Sequence, residues 1–145
     1  MIELGCGGLS AGEVVRVVRG LETVTLGPQA RAAMEASRAI VDRLAASELP
    51  VYGVSTGFGA MATRYVEPAK RRLLQASVVR SHAAGMGPPV EREVVRALIL
   101  LRARTLAMGQ SGVRPVVCER MCELLNADRL PEVPEIGRAS CRERV

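Results

Sequence analysis

The chain has 145 residues, of which 48% are hydrophobic and only 2% aromatic, and it carries a formal net charge of +5. This length and composition predict a globular protein with an aliphatic, mainly helical core, and they exclude a disordered tail. The scarcity of aromatic rings argues against single-strand nucleic-acid binding, which depends on base stacking. Because the arginines alternate with glutamates as on a solvated helix surface, we expect no nucleic-acid partner.

A capping box opens the first predicted helix. Ser10 is the N-cap and Glu13 occupies the third helical position, after which valines continue the helix to Gly20. Short extended segments are predicted on either side, at Met1–Leu4 and Thr23–Leu26. The sequence therefore predicts one or two short strands near its beginning.

Prolines and glycines delimit the remaining predicted helices. Pro28, Pro68 and Pro115 each suit the first helical turn, where the missing N–H is not needed, and Gly109 suits a helix C-terminus. The predicted helices run over residues 28–47, 68–82, 91–108 and 115–125. A mainly α fold follows, with Asn126–Pro134 as a polar loop.

The cysteines and apolar runs point to a cytoplasmic protein. Cys118 and Cys122 are four residues apart with no second pair and no histidine nearby, so we expect no metal site. Apolar runs such as Ala97–Leu101 are short and bracketed by arginines. We therefore expect no membrane segment, no secretory leader and reduced cysteines.

The most distinctive stretch is Val51–Gly59, which lies between two predicted helices. It combines Tyr52, whose phenol can exchange a proton, with glycines that allow sharp bends. His82, the single histidine of the chain, follows 30 residues later. A packed turn and a structural histidine are the alternative interpretations. The glycines have neither the dinucleotide spacing nor a Gly-Lys-Ser/Thr, so no nucleotide is expected.

Three motifs resemble those of the aromatic amino-acid lyases, the family of histidine, tyrosine and phenylalanine ammonia-lyases and related aminomutases. They are residues 51–59 (VYGVSTGFG), residues 80–87 (RSHAAGMG) and residues 109–115 (GQSGVRP). The motifs occur in the family's order and spacing, and the resemblance covers Leu9–Pro134. Ser55 stands where the family commonly has asparagine or threonine. Ser77 stands where it commonly has asparagine.

The resemblance implies a fold and a set of site residues. The fold would be the N-terminal portion of the helical ammonia-lyase fold, in an enzyme that assembles as a homotetramer. Tyr52 matches the catalytic base that takes the β-proton of the amino acid, and His82 matches a position that contacts the substrate side chain. The remaining positions of the active-site loop would be Gly53, Thr56, Gly57, Phe58 and Gly59.

The family's reaction also needs a methylidene-imidazolone electrophile, made from a backbone Ala-Ser-Gly. Counted from Gly137, that tripeptide would fall at residues 141–143, where the sequence is Cys-Arg-Glu. Residues 135–145 can instead be back-translated into a string resembling a DNA-sequencing adapter. We therefore interpret residues 1–134 as an N-terminal lyase fragment and residues 135–145 as a translated artefact, with the junction between Glu135 and Gly137.

Several alternatives remain open at this level. The full-length protein could be a lyase for histidine, tyrosine or phenylalanine, or a tyrosine aminomutase. The 145-residue chain by itself could be a non-catalytic helical interaction domain. The 145-residue chain is expected to be inactive because it lacks the electrophile. Apolar faces at Ile99, Leu100 and Val116–Val117 are expected to lack partners, which predicts poor solubility or a loosely packed state.

Overall fold

The computed structural model describes residues 1–137, and within this range it is mainly helical, as predicted. Its elements are β1 (Ile2–Leu4), α1 (Ala11–Val18), β2 (Val24–Leu26), α2 (Pro28–Ala46), α3 (Pro68–His82), β3 (Met86–Pro89), α4 (Arg92–Ala107), α5 (Pro115–Asn126) and β4 (Pro134–Ile136). The chain divides into two compact units: unit 1 comprises residues 1–41 and 90–132, and unit 2 comprises residues 42–89 and 133–145.

The helix boundaries follow from local chemistry. The capping box is present, since the Ser10 N–H donates to Glu13 Oε2 at 2.8 Å and the Glu13 N–H donates to Ser10 Oγ at 3.3 Å. Gly109, two residues after the end of α4, has φ +70 and would bring a Cβ to 2.7 Å from the Ala33 backbone. Glycine is therefore required there both for conformation and for space.

The strands differ in number from the prediction. Strands β1 and β2 form a parallel pair, with Ile2 opposite Val24. Strands β3 and β4 form an irregular antiparallel pair, so four short strands are present in residues 1–137 where one or two were expected. The second pair was missed because Pro88 and Pro89 read as a turn, and proline is unusual inside a strand.

Unit 1 contains a continuous hydrophobic core. Its fully buried side chains include Leu4, Val17, Val24, Met34, Leu100 and Leu125. The expectation that Leu100 lacks a partner is therefore wrong: Leu100 is 0% exposed, because it shares the inward face of α4 with Ala103 and Ala107. Val116 and Val117 of α5 remain 46% and 43% exposed.

Unit 2 is built differently. Among its described residues only Ser55, Thr56 and Gly57 are buried, and none of the residues of α3 is buried. The described part of unit 2 therefore has no buried hydrophobic side chain, and its loop must be held chiefly by hydrogen bonds.

The segment interpreted as an artefact is only partly described. Residues 135 and 136 belong to β4, whereas residues 138–145 lie outside the described residues. The division at residue 134 remains a prediction.

Candidate active site

The loop that follows α2 is organised around two buried hydroxyl groups. Ser55 is 0% exposed; its Oγ accepts from the Val51 N–H at 2.8 Å and donates to the Leu49 carbonyl at 3.2 Å. Thr56 is 2% exposed, and its Oγ1 accepts from the Gly53 N–H at 3.2 Å and donates to the Gly57 carbonyl at 3.0 Å. These bonds fix the backbone on both sides of Tyr52.

The exit of the loop pairs with its central part. The Val66 N–H donates to the Ser55 carbonyl at 2.8 Å, and the Gly57 N–H donates to the Arg64 carbonyl at 3.3 Å. Thr56 and Tyr65 form an antiparallel bridge between these two bonds. The segment that carries Tyr52 is thus a closed, hydrogen-bonded loop.

Tyr52 lies on the outside of this loop. Tyr52 is 63% exposed. Its ring makes a T-shaped contact with the Phe58 ring, with centroids 6.0 Å apart and an interplanar angle of 84°. Gly53 has φ +71, and a Cβ there would lie 3.2 Å from the Phe58 ring. A glycine beside Tyr52 therefore permits the close approach of the two aromatic rings.

The last two loop glycines serve different purposes. A Cβ on Gly57 would lie 2.6 Å from Met61 Cβ, so this position has no room for a side chain. Gly59 has open space around it but adopts φ +58 as it begins the short 3-10 turn Gly59–Met61. The structure thus brings together all the predicted loop residues.

His82 is the last residue of α3 and is exposed. Its Nδ1 lies 2.8 Å from the Val78 carbonyl and 3.1 Å from Ser81 Oγ. A proton on Nδ1 would be donated to Val78, and this tautomer leaves Nε2 as the acceptor nitrogen of the neutral ring. His82 belongs to the same unit as the Tyr52 loop but lies on α3 and not on the loop itself.

Sequence reasoning missed one residue that organises the loop, Arg71 in the first turns of α3. Its guanidinium donates to the Val66 carbonyl at 3.0 Å, to the Ala45 carbonyl at 2.6 Å and to Tyr65 Oη at 3.1 Å. In the sequence it stands between Lys70 and Arg72, a basic run typical of a solvated helix face. No sequence signal distinguished it, because two of its acceptors are backbone carbonyls.

Two further findings concern the described residues as a group. Within residues 1–137 no set of three His, Cys, Asp or Glu side chains could hold a metal ion, and no helix is long and apolar enough to cross a membrane. Cys6, Cys118 and Cys122 are free thiols.

The model of the aromatic amino acid lyase family matches residues 9–141, and the chain belongs to this family. The chain is 51% identical over 140 residues to histidine ammonia-lyase of Streptomyces coelicolor. The aligned region covers 97% of this chain and 27% of that relative. The histidine ammonia-lyase of Rhodospirillum rubrum is 41% identical over 131 residues, or 90% of the chain and 26% of that relative.

Solved structures show the same fold. Tyrosine aminomutase from Streptomyces globisporus has a TM-score of 0.87 at 37% identity, over 94% of this chain and 26% of that one. Histidine ammonia-lyase from Trypanosoma cruzi has a TM-score of 0.84 at 28% identity, over 94% of this chain and 26% of that one. The chain thus spans about a quarter of the length of the relatives it matches.

Proposed function

We propose that the full-length protein is an ammonia-lyase that eliminates ammonia from histidine, or from tyrosine or phenylalanine, to give the α,β-unsaturated acid. The observation that carries this proposal is an exposed Tyr52 on a loop whose backbone is fixed on both sides by Ser55 and Thr56. Histidine is placed first among the substrates because the histidine ammonia-lyase of Streptomyces coelicolor is 51% identical to the chain.

Tyr52 is the proposed base. As a phenolate, its oxygen takes the β-proton of the amino acid while the amino group leaves from the neighbouring carbon. Its exposure leaves the oxygen accessible to substrate, whereas the buried hydroxyls behind it restrict the position of the loop. A base held in this way loses little conformational freedom when the substrate binds.

His82 is proposed to contact the substrate side chain. An imidazole can donate or accept a hydrogen bond, which suits an imidazole or phenol substrate ring better than a plain phenyl ring. The bond between Nδ1 and the Val78 carbonyl would orient the ring and select its tautomer. The active-site loop residues Gly53, Thr56, Gly57, Phe58 and Gly59 are proposed to support Tyr52 and not to react.

The electrophile does not fit the chain as it stands. A methylidene-imidazolone would activate the substrate for loss of ammonia, but the 145 residues contain no Ala-Ser-Gly from which it could form. We therefore propose that the 145-residue chain is inactive. The proposal for the full-length protein requires this tripeptide further along its natural sequence, and it includes a cytoplasmic homotetramer as in the family.

The test uses a full-length form that carries the natural continuation. Formation of the unsaturated acid is followed by ultraviolet absorbance with histidine, tyrosine and phenylalanine as substrates. Tyr52→Phe should remove most turnover while leaving the far-ultraviolet circular dichroism unchanged. Full activity in this variant would refute the assignment of the base.

A second candidate function is a tyrosine aminomutase, which returns the amine to the β-carbon. It is favoured by the 0.87 TM-score to the Streptomyces globisporus enzyme. Proton NMR of the reaction mixture separates the two functions: a β-amino acid indicates the aminomutase, and an accumulating unsaturated acid indicates the lyase.

A further inference from the structure

Arg71 connects three segments of unit 2 through one side chain. Its Nη1 donates to the Ala45 carbonyl at 2.6 Å, in the last turn of α2, and its Nε donates to the Val66 carbonyl at 3.0 Å, at the exit of the Tyr52 loop. Its Nη2 donates to Tyr65 Oη at 3.1 Å. The segment before the loop and the segment after it are therefore held by the same guanidinium.

The geometry requires an arginine. A guanidinium presents its N–H groups in a rigid planar fork, so it can serve three acceptors that lie in different directions, whereas lysine offers a single nitrogen. The Ala45 carbonyl is among the last carbonyls of α2, which have no partner within the helix. Arg71 also lies beside the Tyr65 ring, with Cζ 5.5 Å from the ring centroid.

A short chain of bonds leads from Arg71 to Tyr52. Val66, whose carbonyl is held by Arg71, donates its own N–H to the Ser55 carbonyl at 2.8 Å. Ser55 Oγ in turn accepts from the N–H of Val51, the residue directly before Tyr52. Because no hydrophobic side chain is buried in the described part of unit 2, these bonds and those of Thr56 are important restraints on the loop.

We infer that Arg71 is a positioning residue for Tyr52: it fixes the loop by holding its exit, at Tyr65 and Val66, to the last turn of α2. This inference rests on the proposed role of Tyr52 as the base. Proton transfer depends steeply on the placement of the base, so loosening the loop should slow turnover more than it weakens substrate binding. Arg71 does not need to contact the substrate to have this effect.

The first experiment compares Arg71→Leu with Arg72→Leu in the full-length enzyme. Both variants remove one positive charge from adjacent positions of α3, but Arg72 is exposed and makes no hydrogen bond to the loop in the described structure. We expect Arg71→Leu to lower kcat by roughly 10- to 100-fold with KM changed less than about threefold, and Arg72→Leu to leave both unchanged. Active sites are counted with a tight-binding substrate analogue, so that kcat is expressed per functional site.

An isotope effect separates positioning from general damage to the fold. With histidine deuterated at the β-carbon, the isotope effect on kcat in Arg71→Leu should be at least as large as in the parent enzyme, because proton transfer has become slower. A variant that only folds poorly would show fewer sites with the same kcat per site. An unchanged kcat per site, or a smaller isotope effect, would overturn the inference.

The second experiment needs no activity and compares the full-length forms of the parent and of Arg71→Leu. Amide hydrogen exchange in Arg71→Leu should become faster at Ser55, Gly57 and Val66, whereas exchange in α4 of unit 1 should not change. Equal protection of the loop in parent and variant would overturn the inference. If Tyr52→Phe retained full activity, the proposed function would fail, yet the exchange data would still report whether Arg71 holds the loop.

Discussion

Replacing Arg96 with methionine should destabilise unit 1 by about 2–3 kcal/mol. Arg96 of α4 is 3% exposed, and its Nη2 donates to the Val17 carbonyl of α1 at 2.8 Å while its Nη1 donates to the Leu125 carbonyl of α5 at 3.2 Å. Methionine retains most of the apolar stem but leaves the Val17 carbonyl without this donor. Leaving a buried carbonyl without its partner lowers the free energy of unfolding by about 1–3 kcal/mol. The loss is at the upper end of that range when the lost donor is charged.

Two details set the size of this estimate. The Leu125 carbonyl keeps a second donor, the Asp128 N–H at 3.2 Å, so its loss is only partial. Arg96 Nε is buried and has no hydrogen-bond partner among residues 1–137, so its removal recovers part of the cost of burying the guanidinium. The net loss should therefore be close to that of one buried carbonyl and below the sum of all the bonds.

The control is Arg92→Met, one turn earlier on α4. Arg96 Nη1 lies 2.8 Å from Asp128 Oδ1, and Arg92 pairs with the same carboxylate at 2.7 Å. The Arg92 side chain is 58% exposed, so its pair is screened by solvent. Urea unfolding followed by circular dichroism should show a clearly lower midpoint for Arg96→Met and almost no shift for Arg92→Met. Equal shifts in the two variants would refute the argument that burial decides the contribution of each arginine.

Three further predictions can be checked on the 145-residue chain. Hydrogen bonding to Arg92 lowers the pKa of Asp128, so its contribution to stability is present above the ordinary carboxyl pKa of about 4 and is lost as the pH falls through the lowered value. Between about pH 5 and pH 3, the melting temperature of Asp128→Asn should consequently fall less than that of the parent. A hydrogen bond with Cys118 and burial raise the pKa of the Cys122 thiol, so peptide mapping after iodoacetamide treatment should find exposed Cys6 alkylated well before Cys122. Gly57→Ala should speed hydrogen exchange in the Tyr52 loop, because its Cβ would lie 2.6 Å from that of Met61; unaltered exchange would show that the loop can adjust.

Much of the helical fold could be predicted because its boundaries depend on local chemistry. The Ser10 capping box and the prolines at the starts of α2, α3 and α5 are visible in the sequence and act within one turn. Strands β3 and β4 could not be predicted, because their pairing joins residues almost 50 positions apart and includes prolines. Leu100 was misjudged because several faces of α4 are apolar, so periodicity did not identify the buried one.

The candidate site was predictable only in part. The motif around Tyr52 identified the loop, and the structure shows why its small residues occur there, as in the tight approach of Gly57 to Met61. The roles of Ser55 and Arg71 are invisible in the sequence because their partners are mostly backbone groups, which every residue possesses. Such partners can be recognised only when the chain is folded.

The distribution of burial explains why hydrogen bonds carry so much of the loop's order. Unit 1 buries its aliphatic side chains, and each buried residue contacts several others. These contacts together offset the conformational entropy lost when the residue is ordered. The described part of unit 2 buries two hydroxyl residues and a glycine, so each lost bond removes a large fraction of what holds the loop. Hydrogen exchange should therefore be slow in α4 and faster throughout α3 in the 145-residue chain. Equal protection in the two helices would show that unit 2 is ordered by interactions other than those of Ser55, Thr56 and Arg71.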